Sequence, residues 1–167
     1  MIDNKTEFEI IKDFGNLYKA YKVSKSGKKL NNEKLKFQSA ALDGIYQISR
    51  LLETKEFKVS PYKEFKVFEP KERIIKAGSF KDQIVQHSLC DNVLIPKLSK
   101  EFVLTNYAGQ IGKGTLYGLD CLKSQMYLAY QKYGYDCWIV KADITKYFYS
   151  INHDILKNIV EYFIQDK

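Results

Sequence analysis

A chain of 167 residues is the size of one domain with room for a small annex. Its 45% apolar and 14% aromatic content is enough for a core, which excludes a wholly disordered chain. Twenty-seven Lys and Arg against twenty Asp and Glu give a net charge of +7, and no apolar run approaches a membrane span. Only Arg50 and Arg73 are arginines, so lysine carries the excess. Lysines that merely solvate a surface and lysines that face an anionic partner both fit this composition. Among anions, nucleic acid ranks ahead of a membrane, because no strongly amphipathic basic helix stands out. The first residues are polar, with no signal-peptide core behind them. Cys90, Cys121 and Cys137 are odd in number and lack Cys-x-x-Cys spacing, which argues against a disulfide framework or zinc site and suits a reducing cytoplasm.

In chain order, Phe8, Ile11, Phe14, Leu17, Tyr18 and Tyr21 recur at helical spacing over residues 6–22, with Thr6 as a possible cap. A polar, basic loop around Gly27 follows. Phe37, Ala40, Ala41, Ile45, Ile48 and Leu51 or Leu52 predict a second helix, closed off by Ser60-Pro61. The period then changes to two. Residues 62–69 and Arg73–Lys76 predict a β-hairpin with Lys71 at its tip and Arg73 just beyond. Ser79 with Asp82 three residues on resembles a capping box, opening a helix through Leu89 and Val93 that Pro96 should end. Residues 102–115 read as irregular, and a helix runs through Leu119, Leu122 and Met126 to before Gly134. Cys137–Asp143 is short, apolar and partly β-branched, the pattern of a buried strand ending in a carboxylate. A last helix begins near Asn152 and shows no stop signal before Lys167, so the chain reads as cut from something longer.

Gly109-Gln110-Ile111-Gly112-Lys113-Gly114-Thr115 invites comparison with a phosphate-binding loop. That loop needs four residues between its first Gly and the Gly-Lys; only two intervene here, and Gly114 separates Lys113 from Thr115. A basic loop touching a nucleic-acid backbone fits better. His87 and His153 lack partners at metal-ligand spacing and read as packed or capping residues, and the three cysteines as small core residues.

The segment Asp143-Ile144-Thr145-Lys146-Tyr147-Phe148-Tyr149-Ser150-Ile151-Asn152-His153 places a carboxylate at the end of a strand, then paired aromatics, then a helix. A carboxylate held rigidly in that way can bridge a magnesium ion to substrate phosphates. The string, continued to Leu156, resembles the first catalytic motif of reverse transcriptases, particularly bacterial ones of the group II intron, retron and diversity-generating kind. Three earlier blocks also resemble that family in the right order: Glu69–Ile75 its fingers hairpin, Phe80–Leu89 the helix behind it, and Asn106–Thr115 the next block.

The resemblance implies an α+β fold: a helical region over 1–60, fingers with a small antiparallel sheet over 61–135, and the first strand and helix of the palm over 136–167. It implies that Asp143 is a ligand of two catalytic Mg²⁺ ions, with the Ile144 backbone carbonyl touching one of them. It places Phe148 at the steric gate against a ribose 2′-hydroxyl, and Lys71 and Arg73 on the incoming triphosphate. Gln110 and Lys113 would lie on nucleic acid, although Gln110 stands where some relatives carry Arg. The implied partners are an RNA template, a DNA primer and deoxynucleoside triphosphates in the cytoplasm, with no membrane. The implied activity is RNA-directed DNA synthesis. No Asp-Asp dipeptide occurs to supply the family's second carboxylate cluster, so the 167 residues alone are expected to be inactive. The competing class is a non-enzymatic module that keeps the fingers and binds RNA or RNA–DNA hybrid.

Overall fold

The computed structural model describes residues 6–26, 32–68 and 70–164; the expected loop around Gly27, Glu69 of the hairpin and the last residues of the chain lie outside them. The chain is α+β, mostly helical with one two-stranded antiparallel sheet among the described residues. It divides into two compact units, the first running to Leu98 and the second spanning Ser99–Phe163. The border falls inside the interval that the sequence assigns to the fingers.

In the first unit the expected single helix over 6–22 is two. Thr6 closes a full capping box with Glu9 and starts α1 (Glu7–Lys12). Asp13 then turns extended and its carboxylate accepts the Asn16 N–H at 3.0 Å, opening α2 (Phe14–Lys25). The break leaves carbonyls at the end of α1 without helical partners. They are taken up by other elements: Ser88 Oγ donates to Ile11 at 2.8 Å and Ser49 Oγ to Lys12 at 2.7 Å. Hydrophobic spacing alone does not reveal such a break, because Phe8, Ile11, Phe14 and Leu17 keep helical spacing across it.

The second helical region is likewise split at Ala40 into α3 (Asn32–Ser39) and α4 (Ala41–Glu53). Leu17, Ala20 and Tyr21 of α2 meet Ile45, Ile48 and Leu52 of α4 in the core, joined by Phe80 and Ile84 of α5 (Phe80–Leu89). Phe37 and Phe80 pack edge-to-face with ring centroids 5.3 Å apart, and Tyr21 closes the aromatic cluster at 5.7 and 6.1 Å from them. Each helix gives this core residues three or four apart.

The predicted hairpin forms as β1 (Lys63–Val67) and β2 (Arg73–Ala77), with Phe65 opposite Ile75 and Val67 opposite Arg73. Pleating puts Phe65, Val67, Arg73, Ile75 and Ala77 on one face and the Glu64–Lys76 pair on the other. After α5 the prediction that Pro96 ends the helix is not met. A π-helical turn over Cys90–Leu94 leads directly into α6 (Ile95–Leu98), which contains Pro96. The wider turn suits a proline, which has no N–H to give and whose ring crowds the carbonyl four residues back.

In the second unit, a 3₁₀ turn (Ser99–Glu101) and an irregular loop precede α7 (Thr115–Tyr133), which stops at Gly134 with φ +62°. Irregular chain then leads to the short α8 (Tyr147–Ser150) and to α9 (His153–Phe163). No residue of 99–163 is buried. No helix among the described residues is long and apolar enough to cross a membrane.

Candidate functional site

The hairpin is a strip of cations in which most are neutralised. Lys63 pairs with Glu33 at 2.6 Å, Lys66 with Glu72 at 2.7 Å and Lys76 with Glu64 at 2.9 Å. Lys71 and Arg73 have no ion-pair partner among the described residues, and both are exposed. The turn end of the hairpin therefore carries a lysine and an arginine that no described carboxylate neutralises. Arg73 shares its face with the apolar side chains of Phe65 and Ile75.

The glycine-rich loop spends its polar groups on itself. Gln110 Nε2 donates to the Asn106 carbonyl at 2.7 Å. The Lys113 ammonium reaches the carbonyls of Leu104 (3.3 Å) and Asn106 (3.4 Å) and sits 5.4 Å from the Tyr117 ring centre. Gly109 and Gly112 take φ of +68° and +77°, values that side chains disfavour, and so make the turns. Tyr107 lies on Gly118 so closely that a Cβ there would come within 2.8 Å of its ring. No strand among the described residues leads into this loop. The Tyr117 hydroxyl is pushed up from its usual pKa, chiefly by its hydrogen bond with Cys121.

The expected strand over Cys137–Asp143 is not formed; the segment has no regular structure and no ladder partner among the described residues. Nor is it buried. Trp138 is 94% and Val140 87% exposed, and Cys137 is exposed rather than a core residue. A strand needs a neighbour to accept its hydrogen bonds, and an apolar sequence does not supply one. Asp143 is exposed, its Oδ1 accepting the following Ile144 N–H at 3.0 Å. Lys146 takes φ +53°, an uncommon left-handed turn for a side-chain-bearing residue, and leads the chain into α8. There Phe148 stands 82% exposed, its ring edge-on to Tyr147 at 5.3 Å. Asn152 caps α9 as its Oδ1 accepts the N–H groups of Asp154 and Ile155 at 3.0 and 3.1 Å.

The site residues are thus divided: Lys71 and Arg73 belong to the first unit, and Gln110, Lys113, Asp143, Ile144 and Phe148 to the second. Within the second unit Asp143, Ile144 and Phe148 share one turn. As a magnesium site the donor types suit the ion, a carboxylate beside a backbone carbonyl. The set is too small to hold it: no group of three or more His, Cys, Asp or Glu residues among the described residues gathers to bind a metal. The sequence reading missed Glu33 and the wider role of Asp82. Glu33 accepts Lys63 and the Phe80 N–H, at 2.6 and 2.7 Å, and Asp82 accepts the Ser60 N–H at 3.1 Å. The Ser79–Asp82 spacing signals a helix cap but not its tie to Ser60.

No family model matches the chain. It is similar to the putative COX1/OXI3 intron 2 protein of Saccharomyces cerevisiae, with 28% identity over 98% of this chain. That alignment covers 20% of the yeast protein, so the chain spans about a fifth of the length of the curated relative it matches. The sequence is thereby similar to that of an intron-encoded protein.

Proposed function

We propose that these residues are the fingers and the opening of the palm of an RNA-directed DNA polymerase of the intron-encoded kind. The observation that carries this reading is the hairpin's charge pattern. Three of its lysines are neutralised by glutamates, while Lys71 and Arg73 at the turn end have no ion-pair partner among the described residues. Bidentate Arg and a mobile ammonium suit the phosphates of a nucleotide or of a template backbone. Asp143 would contribute one carboxylate to the metal site of the complete enzyme, and Phe148, which is not a core residue, is free to act as the gate against a 2′-hydroxyl. The similarity to an intron 2 protein supports the same reading.

Binding to a poly(rA)/oligo(dT) hybrid tests it. The chain should bind at about 50 mM salt with a log–log salt slope of about −2 to −4, as expected if two to four phosphates are neutralised. No binding, or a flat salt response, would end the reading. With a single candidate metal carboxylate, the 167 residues should not extend the primer. Clear deoxynucleotide incorporation would show that the chemistry needs fewer groups than the resemblance implies.

A further inference from the structure

The hairpin leaves the helical core at Ser60 and returns to it at Ser79, and both points meet on one carboxylate. Asp82 Oδ2 accepts the Ser60 N–H at 3.1 Å and the Ser79 hydroxyl at 2.8 Å. The Ser60 hydroxyl in turn donates to Ser79 Oγ at 3.2 Å, and the Asp82 N–H reaches the same oxygen at 3.2 Å. A second carboxylate repeats the pattern from another helix. Glu33 of α3 takes the ammonium of Lys63, the first residue of β1, at 2.6 Å, and the N–H of Phe80, just beyond β2, at 2.7 Å. Each carboxylate therefore spans both ends of the same excursion.

This is more than a helix needs for its cap. Ser79 already serves α5 by accepting the Asp82 N–H. Asp82 is only 2% exposed, and its Oδ1 is buried with no hydrogen-bond partner among the described residues. Burying a carboxylate with one oxygen unsatisfied is unfavourable, so the capping role leaves its burial unexplained. The hairpin itself supplies what the anchor would act on. It has two strands, it is exposed at four of the five positions of each, and such a ribbon has little intrinsic stability or fixed direction. Its root decides where its tip points.

We infer that Asp82, with Glu33 as a second anchor, is a positioning residue that fixes the Lys71–Arg73 tip for capture of phosphate groups. The inference rests on the reading of that tip given above. An anchored tip binds without first having to be ordered; a loosened one binds only in the fraction of molecules that point correctly, which weakens apparent affinity in proportion. The number of phosphates contacted stays the same.

Amide hydrogen exchange on the full 167-residue chain tests the anchor without any ligand. In Asp82→Ala the amides of residues 63–77 should exchange about tenfold faster while those of α2 and α4 keep their wild-type protection. Asp82→Asn retains one oxygen able to accept from both serines and should restore most of the protection. Hybrid binding supplies the second readout. Asp82→Ala should weaken affinity for poly(rA)/oligo(dT) about three- to tenfold at an unchanged salt slope, whereas Lys71→Ala should make the slope shallower. Should Asp82→Ala fail to fold, Ser79→Ala and Glu33→Gln each remove attachments and leave the buried carboxylate in place. Unchanged hairpin exchange in these variants, or a rise spread equally over the helices, overturns the anchor. Failure of the wild-type chain to bind the hybrid overturns the tip reading instead, and the exchange data still decide on the anchor.

Discussion

The two units differ in what they leave exposed. Residues 1–98 carry nineteen basic side chains against thirteen acidic ones, and every buried residue of the described chain lies among them. Residues 99–163 carry seven against six and bury nothing, while Tyr135, Trp138 and Ile111 stand more than 90% exposed. One unit has solved its burial problem and presents charge; the other presents apolar side chains. Hydrophobic content does not by itself make a core, because burial is a property of what comes into reach. The helices α2, α4 and α5 close their backbone hydrogen bonds within themselves and need only apolar faces to pack, whereas a strand candidate such as 137–143 depends on a partner strand.

The largest expected effect tests that contrast directly. Ile45 is fully buried and Val140 is 87% exposed, so Ile45→Ala should cost about 2–5 kcal/mol and Val140→Ala no more than about 0.5. Denaturant unfolding of the two variants measures both. A loss at Val140 comparable to that at Ile45 would mean that residues 137–143 are covered in solution and that the strand read from the sequence forms after all.

Charge is the other side of the comparison. Replacing both Lys71 and Arg73 by Ala should make the salt slope of hybrid binding shallower by about 1.8, since each phosphate contact contributes about 0.9. Lys113→Ala should change the slope much less, because its ammonium already faces the carbonyls of Leu104 and Asn106. Equal changes for the two sites would show that the glycine-rich loop opens to bind, and would move the phosphate contact towards the second unit.

What the sequence made legible follows the range of the interactions. Helix faces, the Thr6 and Ser79 caps, the hairpin and the Gly134 stop depend on residues a few positions apart, and all were readable. The breaks at Asp13 and Ala40 were not, because apolar residues keep helical spacing across each of them. The passage of the helix through Pro96 was missed because a π turn has no sequence signal of its own. Of the candidate site, the turn from Asp143 to Phe148 was legible as a motif. The Asp82–Ser60 tie joins residues 22 apart and the Glu33–Phe80 bond residues 47 apart, and neither leaves a pattern in the chain.

Phe148 sharpens the comparison within the second unit. A core aromatic would cost about 3–5 kcal/mol on truncation, but a ring 82% exposed has little burial to lose. Phe148→Ala should leave the melting temperature within about a degree or two of wild type, as for other surface changes. In a polymerase-competent protein that contains these residues, the same variant should admit ribonucleotides, and Asp143→Ala should abolish synthesis. A folded Phe148→Ala enzyme that still rejects ribonucleotides as the parent does would remove the gate assignment and leave Asp143 untouched.

The smallest effect concerns pH and belongs to the first unit. The Lys63 ammonium hydrogen-bonded to Glu33 holds its carboxyl below the ordinary 4.5, the Phe80 N–H adds to this, and partial burial opposes both. A carboxyl that is a stronger acid in the folded chain than in the unfolded one stabilises the fold above about pH 4.5. That stability is lost as pH falls through the lower folded value. The Glu33 side chain is 34% exposed, so solvent screens the pair and the effect is modest. Glu33→Gln keeps the shape and loses the titration. Thermal melts of both proteins from pH 7 to pH 3 at low ionic strength should show the wild type to be the more stable at neutral pH. The gap should narrow on the acid side of pH 4.5, the other carboxylates forming a background common to the two. A gap that stays constant across this range would assign Glu33 no ionic role, and one that widens in acid would reverse the sign of its contribution.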